Sequence, residues 1–493
     1  HLACLSSSLL NPRHQPHPAY REMMRAIDHQ RDTSWECFLA LIMWVFRVVL
    51  CLMRVIYETV KTAWPKVCYH RRAGARMRGR VDVLLKTWCF EPYAGLIEND
   101  FYYGNLRSML EREGVSSLLI CGDGTGVSEA KMTDALMAGK DLDAVPERLF
   151  LPLWAPLAVA LDQLITSLKL WRLYFKSKGS DIAIVSQRAA LDCLGPMGNF
   201  FYFYIAREAV KRYGAKAFIT LYEGQPWERL AWHGAKAASA SCRTVGFQHT
   251  IITPYSQGLV YPNEGSWEHP APDIVLCLGD VTKELMESGY KDQRAAFLRF
   301  GTFRKSSGSA CKPSPSRRTV LVLPEGFLEE AEVLFNFALR AATVLLDHEF
   351  IFRCHPRFSF DSARTGLIKE PEGLSNVEIS RNALIQDDFN RSSIVLYRAS
   401  SSALYAISSG LKPVYVHGND YPYVDPLFKL SCWRESVQTL EEFIVVASQY
   451  ATQSEEYASQ CWQPAAEYID SYRAPVSRDS VRKFVQEARI NQI

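Results

Sequence analysis

Three consecutive hydroxyls, Ser400, Ser401 and Ser402, stand between a short apolar run and a helical segment. That order can hold an anion. Residues 394–397 read as a buried strand, residues 403–409 have helical spacing, Gly410 stops the helix, and Pro413 opens the next strand. Serine suits a helix start because its hydroxyl accepts a bond from an orphan backbone N–H. A parallel strand–helix–strand unit with hydroxyls and free N–H groups at the helix start can cradle a phosphate, and equally can be plain scaffold. Upstream, His355-Pro356 ends a predicted strand over 350–353. The imidazole supplies a donor for a phosphate oxygen, and the proline stiffens the turn that aims it. Arg353, Arg357 and Arg398 add positive charge nearby. Glu325 and Gly326 follow a further strand, over 319–323, and complete the second-half candidates.

In the first half, Glu223 and His249 each follow an apolar strand, over 217–222 and 244–247. A carboxylate or an imidazole there can take the proton of a hydroxyl nucleophile. The competing readings are a hydrogen-bonded structural histidine and an acid favoured by a helix N-terminus. Asp123 and Gly124 lie in the loop 122–126, which lacks the G-x-G-x-x-G spacing of a dinucleotide site, so a nicotinamide or flavin cofactor is disfavoured. Asp280 is a further strand-end acid. The 13 cysteines form no C-x-x-C pair and no Cys/His ligand spacing, so neither a zinc site nor a disulfide scaffold is expected.

Elements must position these residues. A chain of 493 residues exceeds the usual single core, so two domains are expected. Residues 81–304 alternate predicted strands (81–87, 117–121, 181–186, 217–222, 244–247, 273–278) with helices, and the pattern restarts at 319. Such alternation indicates parallel sheets with crossover helices, whose ligands bind beyond the strand carboxyl ends. Between the halves, residues 305–318 are rich in Ser, Pro, Gly and Lys and read as the linker. The domains are then 1–80, 81–304 and 319–493, the last ending in helices.

Net charge is only +3, which argues against nucleic acid as a partner. It hides an asymmetry: residues 1–80 hold 13 Lys+Arg against 5 Asp+Glu, leaving 43 against 48 for the rest. Residues 35–60 are the most apolar run, long enough to cross a bilayer, but Arg47 and Arg54 interrupt it on one helix face. The readings are a helix lying on a membrane, a span, or a buried helix. Arg71, Arg72, Arg76, Arg78 and Arg80 follow and suit anionic headgroups. The apolar stretch 149–175 reads as an amphipathic helix, internal or membrane-facing.

Two α/β halves around a cleft, joined by a linker, resemble glycosyltransferases of the GT-B fold. The stretch SSIVLYRASSSALYAISSGLKPVYV resembles the donor-binding unit of bacterial surface-carbohydrate enzymes, and YEGQPWERLAWHGAK with TVGFQHT is similar to their N-terminal domain. His355-Pro356 with Ser400-Ser401-Ser402 looks like the "HP" and "SS" motifs that hold the CMP phosphate in sialyl- and Kdo-transferases. The paired-acid-plus-glycine motif of polysialyltransferases has no clean match, since Gly122-Asp123-Gly124 has one acid.

The resemblance implies a metal-independent, membrane-peripheral cytoplasmic enzyme of lipopolysaccharide or capsule synthesis. It would move a sugar, such as Kdo or another nonulosonic acid, from a nucleotide-sugar co-substrate to a glycan or lipid-linked acceptor, without a cofactor. The alternatives are a UDP- or GDP-sugar donor, a GT-B-fold sugar-nucleotide epimerase, and a non-catalytic glycan-binding assembly partner.

Overall fold

Parallel strands covered on both faces must be apolar along their whole length, and the chain supplies two sets of them. The computed structural model describes residues 34–68, 79–90, 100–124, 129–138, 144–178, 180–254, 256, 259, 271–289, 295–304, 312–417 and 424–490. Its first helix, α1 (Ser34–Cys68), precedes β1 (Val83–Cys89), α2 (Leu106–Arg112), β2 (Ser117–Asp123), α3 (Glu129–Ala138) and β3 (Ala144–Pro146). Then come α4 (Ala155–Lys176), α5 (Asp181–Asp192), α6 (Gly198–Tyr213), β4 (Ala217–Tyr222), α7 (Pro226–Ala238) and β5 (Arg243–Gln248). β6 (Ile274–Cys277), α8 (Asp280–Gly289) and β7 (Ala296–Arg299) close the first sheet, ordered β3-β2-β1-β4-β5-β6-β7.

The second unit runs β8 (Thr319–Leu323), α9 (Leu328–Ala342), β9 (Glu349–Phe352), α10 (Phe360–Arg364), β10 (Val377–Ile379) and α11 (Ile385–Arg391). It continues with β11 (Ile394–Tyr397), α12 (Ser402–Ser408), β12 (Lys412–Val416), β13 (Glu435–Val437), α13 (Leu440–Ala451) and α14 (Glu455–Tyr472), and α15 (Arg478–Glu487) ends the series. Its sheet is ordered β10-β9-β8-β11-β12-β13. All described strand pairs in both sheets are parallel. β4, β6, β8, β11 and β12 are buried at every position. Two Rossmann-like domains thus face a cleft, the GT-B arrangement.

The strand order reverses between β1 and β4 in the first sheet and between β8 and β11 in the second. A crevice forms at such switch points, outside the strand carboxyl ends. Glu223 follows β4, and Ser400 follows β11, so each domain offers a candidate at its own switch point.

The domains are also joined beside the cleft. After α14 the chain runs back along the first domain: Ala474 N donates to Leu278 O (2.9 Å), Thr302 N to Ala474 O (2.7 Å), and Val476 N to Thr302 O (3.2 Å). The end of α14 that feeds this strap lies so close that a Cβ on Gly279 would sit 2.1 Å from the Ser471 carbonyl oxygen. Beyond it, Val481, Phe484 and Ile490 sink into the core of the first sheet. The tail assigned by sequence to the second domain is therefore divided. α13 and α14 pack on the second sheet, and α15 returns to the first.

One predicted strand is a helix. Residues 181–186 belong to α5, where Ala183, Ser186 and Ala190 are buried at helical spacing against α4. β-branched residues suggested a strand, and packing against a neighbouring helix decided otherwise. Half of the predicted linker (305–311) and most of the basic cluster (Arg71, Arg72, Arg76 and Arg78) lie outside the described residues.

Candidate functional site in the interdomain cleft

β4 delivers Glu223 to the cleft, and Glu228, in the first turn of α7, fixes the backbone there. One carboxylate oxygen of Glu228 accepts the Glu223 N–H (2.8 Å), and the other accepts those of Gly224 and Gln225 (both 3.0 Å). Burial pushes the Glu228 carboxyl well above its ordinary pKa, against the pull of these three donors. β5 delivers His249 beside it, with Nε2 3.0 Å from Glu223 Oε1. The contact is a close approach without a hydrogen bond, so the buried ring nitrogen is left for a third group. The Tyr102 ring packs edge-on against the imidazole, with centroids 4.7 Å apart. The carboxylate side chain is 26% exposed and the imidazole 9%, so the acid is the more accessible member.

A cavity of about 200 Å³ opens over this pair and is walled by both domains. The first contributes Glu223, His249 and Arg304, and the second contributes Ser401, Tyr405 and Arg473. Arg473 sits over Tyr405, 3.4 Å from the ring centroid, and burial lowers its pKa. Its Nη1 has no hydrogen-bond partner and is buried. Arg304 stacks on Phe101 at 4.7 Å. A second cavity, of about 400 Å³, lies on the other side of Glu223 and Tyr102. Trp88, Phe90 and Trp227 wall it, with Asp123 and Gly124 at its edge. Glu223 therefore touches a charged chamber on one side and an aromatic one on the other.

Ser401, exposed at the turn, reaches the charged chamber, whereas Ser400 is buried and its Oγ accepts the Ser402 N–H at 3.4 Å. Ala399, just before them, is held at φ +44°, a conformation that costs a non-glycine residue about 1 kcal/mol or more. His355 stands two strands away along the same edge, after β9, with the β8 loop between. Its Nδ1 accepts the Arg357 backbone N–H (3.2 Å), so Nε2 carries the ring proton and can donate. Burial and the Arg357 charge hold its pKa below the ordinary value, which keeps the ring neutral. Gly326 lies against that ring, where a Cβ would come within 3.1 Å of it. Pro356 is exposed and Glu325 half-buried at the same edge.

Two cationic candidates are elsewhere. Arg398 is fully buried, with Nε on Glu330 (2.5 Å) and Nη1 on the Val416 carbonyl (2.8 Å), so it ties β11 to α9 and β12 and does not line the cleft cavity. Arg353 is likewise bound to Asp388 at 2.6 Å. A buried arginine needs a carboxylate, and each found one in its own domain. Asp280 is on the surface, paired with Arg299 at 2.9 Å. The sequence reading missed Arg304 and Arg473. Both sit in irregular segments beside the strap, and only the return of α15 brings Arg473 to the first domain. Among the described residues no group of His, Cys, Asp and Glu could hold a metal ion.

No family model matches the chain, and no curated protein matches it. Solved structures do resemble it in shape. The glycosyltransferase of kitacinnamycin aligns with 83% of this chain and 99% of its own, at 10% identity and TM-score 0.48. A glycosyltransferase from Rickettsia africae covers 84% and 99% at 12% identity and TM-score 0.47. A UDP-GlcNAc 2-epimerase from Neisseria meningitidis, bound to UDP-GlcNAc, covers 82% and 99% at 9% identity and TM-score 0.45.

Proposed function

We propose that the chain is a glycosyltransferase that takes its sugar from a nucleotide-sugar bound against the second domain and passes it to an acceptor seated in the first. The observation that carries this reading is the Glu223–His249 pair, 3.0 Å apart, at the junction of an aromatic and a charged chamber. An acceptor sugar stacks on Trp88 and Trp227 and presents a hydroxyl to Glu223. The carboxylate takes the hydroxyl proton as the oxygen attacks the anomeric carbon, and the bond from that carbon to the nucleotide phosphate breaks. His249, 3.0 Å away, restricts the swing of the carboxylate. The negative charge released on the phosphate meets Arg473, Arg304 and the Ser401 turn, while His355 donates to the nucleotide from its neutral ring.

Two guanidinium groups beside one serine turn suit a donor bearing a carboxylate as well as a phosphate. The likeness of His355-Pro356 and the serine turn to CMP-phosphate motifs makes a CMP-linked nonulosonic acid such as Kdo the favoured donor, and a lipid-linked or glycan acceptor of surface polysaccharide its partner. Attachment to an anionic membrane surface belongs to the same proposal.

A thermal-shift screen with CMP, UDP, GDP and CDP tests the donor site. A nucleotide at a hundredfold excess over Kd stabilises by about 2.7 kcal/mol. Absence of any shift ends the donor assignment, and a shift with UDP alone replaces CMP. Glu223→Gln should keep nucleotide binding and lose about 10²- to 10⁴-fold in transfer. Turnover of the sugar-nucleotide to its epimer without acceptor would instead select the epimerase.

A further inference from the structure

We infer that the first domain seats in one leaflet of an anionic bilayer through two helices, α1 and α4, and that α1 lies on the protein without crossing the membrane. By length and composition α1 could span. Its polar side chains argue otherwise. Trp44 Nε1 donates to Ser167 Oγ (2.7 Å), Arg47 to the Leu191 carbonyl (2.8 Å), and Arg54 to the Leu194 carbonyl (3.0 Å). Further along, Glu58 pairs with Arg148 at 2.7 Å and Lys61 with Glu129 at 2.8 Å. With Cys51, whose Sγ lies 3.7 Å from Gln163 Oε1, these anchors recur every three or four residues, so one stripe of α1 is bonded to α4, the end of α5, the start of α3 and the 3-10 turn at 147–150 over about five turns. A crossing helix would carry both arginines and Glu58 into hydrocarbon without partners.

The rest of the α1 surface is apolar and uncovered. Fifteen large apolar side chains of α1 are exposed, among them Ile42, Phe46, Met53 and Ile56. α4 is exposed in the same way at Leu157, Leu161, Ile165 and Leu168, spaced by four, four and three. Soluble surfaces rarely show a contiguous apolar patch above a few hundred Å², and two such helices exceed that. What flanks α4 selects lipid as the occupant. At its start Trp154 and Tyr204 pack at 5.2 Å under the Arg207 guanidinium, an aromatic and cationic cluster of the kind that sits at headgroups. Toward its end Lys169, Arg172 and Lys176 are exposed, and Asp162 is the only acid exposed along the helix.

The inference deepens the membrane attachment proposed above and is separable from the transfer chemistry, since Glu223→Gln should bind membranes normally even if catalysis fails. The test is flotation of the full chain with phosphatidylcholine vesicles, with and without phosphatidylglycerol. The wild type should float with the anionic vesicles, more weakly with the neutral ones. Leu157→Glu with Leu161→Glu, both already exposed, should float at least about tenfold less while melting like the wild type. In membranes of cells expressing the full chain, an impermeant maleimide should reach Ser34→Cys and Cys68 from the same side. Unimpaired flotation of the α4 variant, or equal flotation with both vesicle types, overturns the two-helix surface. Labelling from opposite sides makes α1 a span. A soluble wild-type dimer that the α4 variant dissociates assigns the face to a second copy.

Discussion

Gly279→Ala is a one-methyl change that should weaken nucleotide binding without touching the nucleotide. The last turn of α14, which leads into the strap that closes the two domains, passes over Gly279, where a Cβ would be 2.1 Å from the Ser471 carbonyl oxygen and 2.7 Å from that of Tyr472. Real Cβ atoms keep at least 3.0 Å from such neighbours, so the strap must retreat by at least about 0.9 Å. No flexible side chain can absorb this, because the obstructing atoms are backbone. Overpacking of this kind costs about 1–3 kcal/mol, and strap bonds such as Ala474 to Leu278 add about 1 kcal/mol each if they break. Leu278, Tyr472 and Arg473 all line the charged chamber, so its wall moves with the strap. A displacement near 1 Å in a positioning element can cost about 10² in rate. The assay is a melting curve with a calorimetric titration of whichever nucleotide stabilises the wild type. Gly279→Ala should melt lower and bind at least about tenfold more weakly. Gly198→Ala is the control: it begins α6, nothing lies within 4 Å of its Cβ, and the change should be neutral or slightly stabilising. If both variants melt and bind like the wild type, the strap does not set the chamber.

Arg398→Met should destabilise by about 3–5 kcal/mol by leaving Glu330 buried and unpaired, and adding Glu330→Leu should recover much of that. Calorimetry on the folded double variant should give wild-type nucleotide affinity, and a large loss would return Arg398 to the donor site. Glu228→Ala strips the acceptors from three backbone N–H groups and should cost about 3 kcal/mol in chemical denaturation, with transfer falling further than the folded fraction does. The lowered His355 pKa makes the folded state resist protonation of that ring. Its contribution is present above the pKa of an unfolded histidine, about 6.5, and drains as pH falls through the lowered folded value. Melting temperature should therefore drop on acidification across that window, and His355→Gln should flatten that part of the curve. An identical pH profile in the variant would mean the ring is not where its environment controls it.

Strands were legible in the sequence wherever burial on both faces enforced an unbroken apolar run, as at 217–222, 319–323 and 394–397, which match β4, β8 and β11 residue for residue. The short edge strands β3 and β7 carry no such run and passed unread. Of the site, local chemistry was readable and long-range chemistry was not. Glu223 and His249 could be named because strand ends in a parallel sheet open onto the crevice, a rule that needs only local sequence. A cation obeys no such rule. Arg398 stands at a strand end like Glu223, yet a glutamate 68 residues away captures it. Arg473 follows a helix with no sign of function, and its place in the cavity wall depends on close approaches of its neighbours to Gly279 and Gly301, far earlier in the chain.

The same geometry explains why chemistry would be confined to a closed cleft. The acid and the imidazole belong to the first sheet, and the serine turn and Tyr405 to the second. Arg473 alone stands on the segment that binds the two together, wedged on Tyr405 of one domain one residue before Ala474 bonds to the other. Any opening that parts Ser401 from Glu223 must bend the chain at Arg473 or slide it off Tyr405. A phosphate held by Arg473 and Ser401 would resist that motion, because Ser401 belongs to the second domain and Arg473 stays beside it only while the strap is in register. Donor binding and cleft closure would then be one equilibrium, and an acceptor hydroxyl would meet Glu223 opposite a loaded donor site rather than an empty one.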